Sequence, residues 1–328
     1  MSRFRTFPLA AVPALCLAAL AAHAGPAYHL IDLGRDTTGN RIDGKGEVCG
    51  WQHGHPAVYS NGTWRLLQGS TRYQPNGLNA DGYVVGTRNE KGEIAVEWDP
   101  TGAFAHVVPG AKSSFATAIH RDGTVYGAAL MPTGHAFPYS WIAGVLTPLP
   151  YFPGWAWTMP TAVNRSQQMA GWAASAGFEP ACPMDPVLYS GGSWSSLGSL
   201  GGTCGQAEGI NDSGVVVGWS FPSGSSNGHA FAWQAGVMTD LGTLGGPYSE
   251  AEDIDEQGRI VGASNDSAGI VHPFLWSAGV MRDLTAMVDK VPHKAFLDEA
   301  RSTNAAGQIL VQGHFQDGSP HAFLLDPR

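Results

Sequence analysis

The chain has 328 residues, of which 43% are hydrophobic and only 14% charged, with 44 glycines, 22 prolines and 11 tryptophans. A formal net charge of −9 argues against nucleic acid or an anionic membrane surface as partner. The apolar fraction is enough for a sizeable core, and the length suits either two domains or one closed all-β domain.

Residues 1–24 read as a secretory signal peptide. Arg3 and Arg5 supply a positive start, Leu9 to Leu20 an apolar run, and Ala22-His23-Ala24 a small-x-small cleavage site before Gly25. That apolar run is too short to span a membrane, and no second long one follows. The expectation is an exported, extracellular or periplasmic protein without stable membrane insertion. Beyond the leader stand Cys49, Cys182 and Cys204. An oxidising compartment then implies one disulfide and one leftover thiol.

From residue 30 the chain is organised as repeats of four short segments. Segment A ends in an apolar residue followed by a turn of the type Asn-x-x-Gly, and segment B reads x-Val-Val-Gly. Segment C reads His-Ala-Phe-x-Trp, and segment D reads Met-x-Asp-Leu-Gly. Each is short, rich in β-branched or aromatic residues and bounded by turn formers, which is the pattern of strands. The A–B hairpin recurs at Ile42-Asp43, Leu78-Asn79, Ile119-His120, Val163-Asn164, Ile210-Asn211, Ile254-Asp255 and Thr303-Asn304, at spacings of 36, 41, 44, 47, 44 and 49 residues. In the last copy, Ile309-Leu310-Val311, the closing glycine is missing.

A period in the forties with four strands per unit predicts a propeller rather than a helical solenoid. The fold class expected is all-β, a seven-bladed β-propeller forming a single domain over residues 25–328. The last repeat stops after segment C at His321 to Leu325, while the chain opens with a spare segment D, Leu30-Ile-Asp-Leu-Gly34. If that first strand completes the last blade, no sheet edge is left unpaired at the junction.

His-Ala-Phe at 135–137, 229–231 and 321–323, with Asp-Leu-Gly-Thr-Leu-Gly-Gly at 240–246 and its variant at 197–202, resembles the HAF-repeat family of probable extracellular repeat proteins. The match is strong in the fifth and sixth repeats and traceable elsewhere. It implies export and a repeat fold, and it implies no reaction.

In a propeller the A–B and C–D connections share one face and the B–C and D–A connections share the other. The second set is the longer and more variable, so a ligand is expected there, at the mouth of the central channel. The loop Tyr151 to Pro160 is rich in aromatics, and Phe152, Trp155 and Trp157 are candidate ligand-binding residues; the competing reading is that they seal blade packing. The recurring His55, His135, His229, His272 and His321 lie on different blades, too far apart to share a metal, and are expected to hydrogen-bond backbone. Asp32, Asp240 and Asp283 share another repeat position and are read as structural. Glu250, Glu252, Asp253, Asp255 and Glu256 lack the spacing of a calcium loop, and alternation between sheet faces suggests a solvated rim. No cofactor or metal is expected. Cys182 and Cys204 fall on the same face of adjacent blades and are the predicted disulfide, whereas Cys49 takes a valine-like buried position.

No nucleophile elbow, phosphate loop, zinc motif or Cys-x-x-Cys occurs. The leading expectation is therefore a monomeric, non-enzymatic binding or interaction module for a carbohydrate or protein. A propeller hydrolase or lyase acting on a polysaccharide or lactone, and a passive structural envelope protein, are the alternatives. Paired carboxylates at the channel mouth would favour the enzyme.

Overall fold

In the computed structural model, residues 27–89, 92–175 and 182–328 are described; the predicted leader lies outside them. They form seven four-stranded antiparallel sheets in the order A-B-C-D, six built from consecutive strands and the seventh taking its D strand from the first strand of the described chain. The chain is a seven-bladed β-propeller. Its innermost A strands are Thr37–Ile42, Tyr73–Leu78, Ser113–Ile119, Trp157–Val163, Gly201–Ile210, Gly245–Ile254 and Ala295–Thr303. Each touches the next around the ring, and the seventh touches the first. The outermost strand of blade 7 is Tyr28–Arg35, which pairs antiparallel with Pro320–Pro327. One short 3-10 turn, Leu284–Met287, is the helical content of the described residues.

The sequence motifs have separate physical jobs. The aromatic of segment C fills the space between sheets: Tyr139, Phe231, Phe274 and Phe323 are fully buried. The glycine ending segment B is demanded by a close approach to strand A. A Cβ at Gly218 would lie 2.0 Å from the Gln206 carbonyl oxygen, and one at Gly262 would lie 2.0 Å from that of Glu250. In blade 7 the glycine is displaced rather than lost. A second bulge between Leu297 and Glu299 shifts the register, and Gly313 takes the close approach, 2.1 Å from the Phe296 carbonyl oxygen.

The turn residue at the end of strand A does two jobs at once. The Asn211 Oδ1 accepts from the Val215 backbone N–H at 3.0 Å, closing its own turn, while its Nδ2 donates to the Asp255 carbonyl of the next blade at 3.1 Å. Asn164 donates likewise to Asn211 at 3.0 Å, Asn79 to His120 at 3.4 Å, and Asn304 to Asp43 at 2.9 Å across the ring junction. These turns are thus stitched into an interblade belt on the A–B face. Asp43, His120 and Asp255 have no Nδ2 to give and leave gaps in it.

Cys182 and Cys204 form a disulfide, Cα–Cα 5.3 Å, tying the B–C connection of blade 4 to strand A of blade 5. Cys49 is a buried free thiol.

Candidate functional site

Every strand A carries a β-bulge about three residues before its turn. The residues skipped by the pairing are Asn40, Asn76, Thr117, Thr161, Glu208, Glu252 and Arg301, one per blade. All seven line one central cavity of about 240 Å³, together with Arg41. A bulge re-aims its side chain, which is how seven equivalent positions come to face the axis.

On one side of the ring these side chains serve blade-to-blade contact. Asn40 donates to the Pro75 carbonyl, Asn76 to Ala116 at 2.9 Å, Thr117 to Pro160 at 2.7 Å, and Thr161 to Ala207 at 2.7 Å. On the other side the same place is held by Glu208, Glu252 and Arg301, and the chemistry changes. Two residues back along strand A stand Glu250 and Glu299. Tyr248 Oη donates to Glu250, and the Arg301 guanidinium meets Glu299 at 2.8 Å. Ser302 Oγ donates to Asp253 at 2.7 Å, while Arg41 donates to the Arg301 carbonyl at 3.0 Å.

Burial in a narrow channel, with repulsion between neighbouring carboxyls, raises the pKa of several of them. Burial, then repulsion from Glu252, pushes Glu250 up to about 7 and Glu299 up to about 8. Burial, then Glu252 and Glu250, raises Glu208 well above the carboxylate range. Burial raises Asp253 against the opposing pull of Arg41. Burial alone would lower Arg41, but Asp253, Glu252 and Glu208 outweigh it and raise it instead. Among the described residues no three acidic, histidine or cysteine side chains are grouped as a metal's ligands would be. The acidic stretch expected at a solvated rim is therefore divided: Glu250, Glu252 and Asp253 belong to the channel wall and its neighbourhood, and Asp255 is buried against Arg259. Only Glu256 stays near the turn surface, where it accepts from the Asp212 N–H.

A second concavity of about 1070 Å³ opens over blades 1 and 2, lined by Trp51, His53, Arg72, Gln74, Asn89 and Asp36 among others. It lies on the B–C/D–A face. Its floor reaches the channel wall, since Thr38 and Gln74 stand two residues before the bulges at Asn40 and Asn76. Local geometry makes the hollow. The B–C connection of blade 1 is only His53-Gly54, with φ of 50° and 75°, a two-residue hairpin turn. Blade 4 spends residues 175–183 on the same connection. The Trp51 indole is held by its Nε1–H, which donates to the Tyr73 carbonyl at 2.8 Å, and the Asn89 N–H donates to the Arg72 carbonyl at 2.8 Å.

The aromatic loop before blade 4 packs against blades 3 and 4. Trp157 is 3% exposed, in a core cluster with Ala128 and Met159. Phe152 and Trp155 are half-buried against Ala118, Tyr126, Met169 and Trp194. They contribute to the packing between blades 3 and 4 and stay partly exposed. Three of the five repeated histidines pair with carboxylates rather than backbone, whereas His135 Nε2 meets the Tyr151 hydroxyl at 3.0 Å. His229 Nδ1 meets Asp240 at 2.9 Å, His272 Nδ1 meets Asp283 at 3.3 Å, and His321 Nδ1 meets Asp32 at 2.8 Å. Each pair joins strands C and D of one blade, so the His-Ala-Phe and Asp-Leu-Gly elements are two halves of one contact.

Sequence reasoning passed over the groove and every bulge residue but Glu252, which it placed at a solvated rim. The bulge residues had a signal: they share one repeat position, three residues before the turn Asn, Asp or His. They differ in residue type, and a search for likeness between repeats hides them. The groove had none, because it depends on which connection is short relative to its neighbours in space.

The class is a seven-bladed propeller, and solved structures with the same fold agree with it. The chain aligns with the β-propeller domain of the Trilobed protease from Pyrococcus furiosus, with TM-score 0.59 and 10% identity, covering 91% of this chain and 95% of that one. It aligns with a streptogramin B lyase at TM-score 0.57 and 10% identity, covering 92% and 98%. A puromycin-hydrolyzing peptidase of Mycobacterium tuberculosis matches at TM-score 0.58 and 11% identity, over 90% of this chain and 51% of that one. No family model matches the chain, and neither does any curated protein. At these identities the likeness is one of fold alone.

Proposed function

We propose that the protein is an exported, non-enzymatic binding module that holds a carbohydrate on the B–C/D–A face, in the groove over blades 1 and 2. The observation that carries this reading is the composition of the groove: a fixed indole, Trp51, beside the hydrogen-bonding side chains of His53, Arg72, Gln74 and Asn89. Sugars present apolar C–H faces and a rim of hydroxyls, which an aromatic ring and nearby amides match. A concave, polar hollow suits a chain of sugars better than the flatter, more apolar surface of a protein partner. Export is supported by the leader-like first 24 residues and by the Cys182–Cys204 disulfide. Thermal-shift screening against a glycan panel tests the reading. A glycan that raises the melting temperature of the wild type, but not of Trp51→Ala or Asn89→Ala, supports it; stabilisation that survives both substitutions removes the groove from consideration.

One observation favours a second reading, a polysaccharide hydrolase or lyase. The channel gathers Glu250, Glu252 and Glu299 with Tyr248, and some of these carboxyls hold protons at neutral pH, as a general acid must. Release of reducing ends from a bound glycan, abolished in Glu250→Gln with binding retained, would establish it.

A further inference from the structure

The described lining of the groove does not share the negative charge of the chain as a whole. In a protein of net charge −9, its described lining carries one carboxylate, Asp36, against Arg72 and His53. That carboxylate is already engaged: Arg35 Nε lies 3.8 Å and His53 Nδ1 3.7 Å from its Oδ2. Arg35 itself is shared with Asp317 at 2.9 Å, outside the groove. Arg72 is exposed, and no carboxylate pairs with it among the described residues. Its backbone is anchored on both sides, by Asn89 N–H to its carbonyl and by its own N–H to Ser70 Oγ at 3.4 Å, so the guanidinium is presented from a fixed base. Deeper in, the Thr38 hydroxyl is buried without a hydrogen-bond partner. A buried polar atom without a partner is costly unless something else satisfies it.

We infer that the groove selects anionic glycans, with Arg72 receiving the acidic group of a sugar unit whose ring lies against Trp51 and whose hydroxyls reach Asn89, Gln74 and Thr38. This deepens the carbohydrate reading above and rests on it. The planar fork of a guanidinium takes two oxygens of one carboxylate or sulfate ester at once, so a neutral sugar leaves it unused. Water does not strip the interaction away entirely, because one wall is the indole and another the sheet edge of blade 2. Uronates and sulfated sugars share this chemistry, and the probes below separate them.

The test is calorimetric titration of the full chain with three probes: an oligogalacturonate, the same oligomer fully methyl-esterified, and a sulfated dextran oligomer. The expected result is that esterification weakens binding roughly 10- to 100-fold, the range for a lost hydrogen bond to a charged group. Arg72→Gln is expected to produce the same loss for the acidic oligomer and a much smaller one for the ester, at an unchanged melting temperature, while Arg72→Lys recovers part of it. Binding of the sulfated oligomer, also lost in Arg72→Gln, assigns the acid as a sulfate ester within the same class. Equal affinity for acid and ester overturns the anionic assignment and leaves the carbohydrate groove standing. Acid-selective binding unmoved by Arg72→Gln overturns the assignment of Arg72. Silence from all three, and from neutral glycans, removes both readings.

Discussion

His321 and Asp32 are 289 residues apart in sequence, and their side chains meet at 2.8 Å. The contact repeats within blade 7 what His229 and Asp240 do within blade 5, eleven residues apart. Asp32 also accepts from its own turn, through the Gly34 N–H at 2.9 Å, as Asp240 does from Gly242 at 2.8 Å. The strand Tyr28–Arg35 therefore takes the place of segment D in blade 7, down to the motif contact. His321 is nearly buried, so losing its partner strands a polar ring. Asp32→Ala is expected to cost about 1–3 kcal/mol, measured by denaturant titration. The matched Asp240→Ala, in a more exposed pair, is expected to cost less.

The belt of turn residues gives a prediction of opposite sign. Asp43 stands where Asn79, Asn164, Asn211 and Asn304 donate to the next blade, and its Oδ2 is buried without a partner. Burial raises its pKa. Asp43→Asn keeps an oxygen for the N–H groups of Lys45 and Glu47, which it now accepts at 2.8 Å each, and adds the missing donor. It should stabilise the fold by about 1 kcal/mol. A folded-state pKa raised above the unfolded value makes the acid's stability contribution fall as pH rises. The gain from the substitution should then be larger at pH 7 than at pH 3; a gain independent of pH sinks the explanation.

The channel carboxyls extend the same logic. Glu250 and Glu299 keep their protons to about 7 and about 8, whereas an unfolded glutamate loses its proton near 4.3. Between these limits the folded chain binds more protons than the unfolded one, so unfolding free energy falls as pH rises from about 4.5 to 8. The double variant Glu250→Gln, Glu299→Gln should flatten this slope and melt higher than the wild type at pH 8. Melting temperatures for both proteins from pH 4.5 to 8.5 check it, and parallel curves reject it.

The disulfide closes a loop of 22 residues, for which the chain-entropy account gives roughly 3 kcal/mol. Cys204 is buried beside Trp157 and Met184. Cys182→Ala, at the outer end of the bridge, removes the cross-link with the least damage to packing. A fall in melting temperature of roughly 5–10 °C is expected for a chain of this size, matched by reduction of the wild type. Cys49 is fully buried, and burial pushes its thiol up to about 12. It should stay unreactive towards thiol reagents until the protein unfolds.

The repeat is a local object, and the sequence by itself determined it. Turn chemistry at Asn211-x-x-Gly214, alternation along Val216-Val217-Gly218 and the aromatic of His229-Ala-Phe231 each act within a few residues. They specify strands, hairpins and a blade count without reference to the rest of the chain. The spare strand at Leu30 and the short last repeat at His321 could be matched because both are written in the same motif. What faces the axis was decided by tertiary structure. A bulge carries Glu252 out of simple alternation, so reading the strand as a period-two ribbon puts it at the rim. The consequences of the Glu252 position come from Glu208 and Glu299, residues 44 and 47 positions away, and from low solvent access that exists only once seven blades close a ring. The same holds for the groove. Trp51 and Asn89 lie near the ends of two different B strands and Arg72 on a D–A connection, and only the height of these strand ends and connections relative to one another makes a hollow between them.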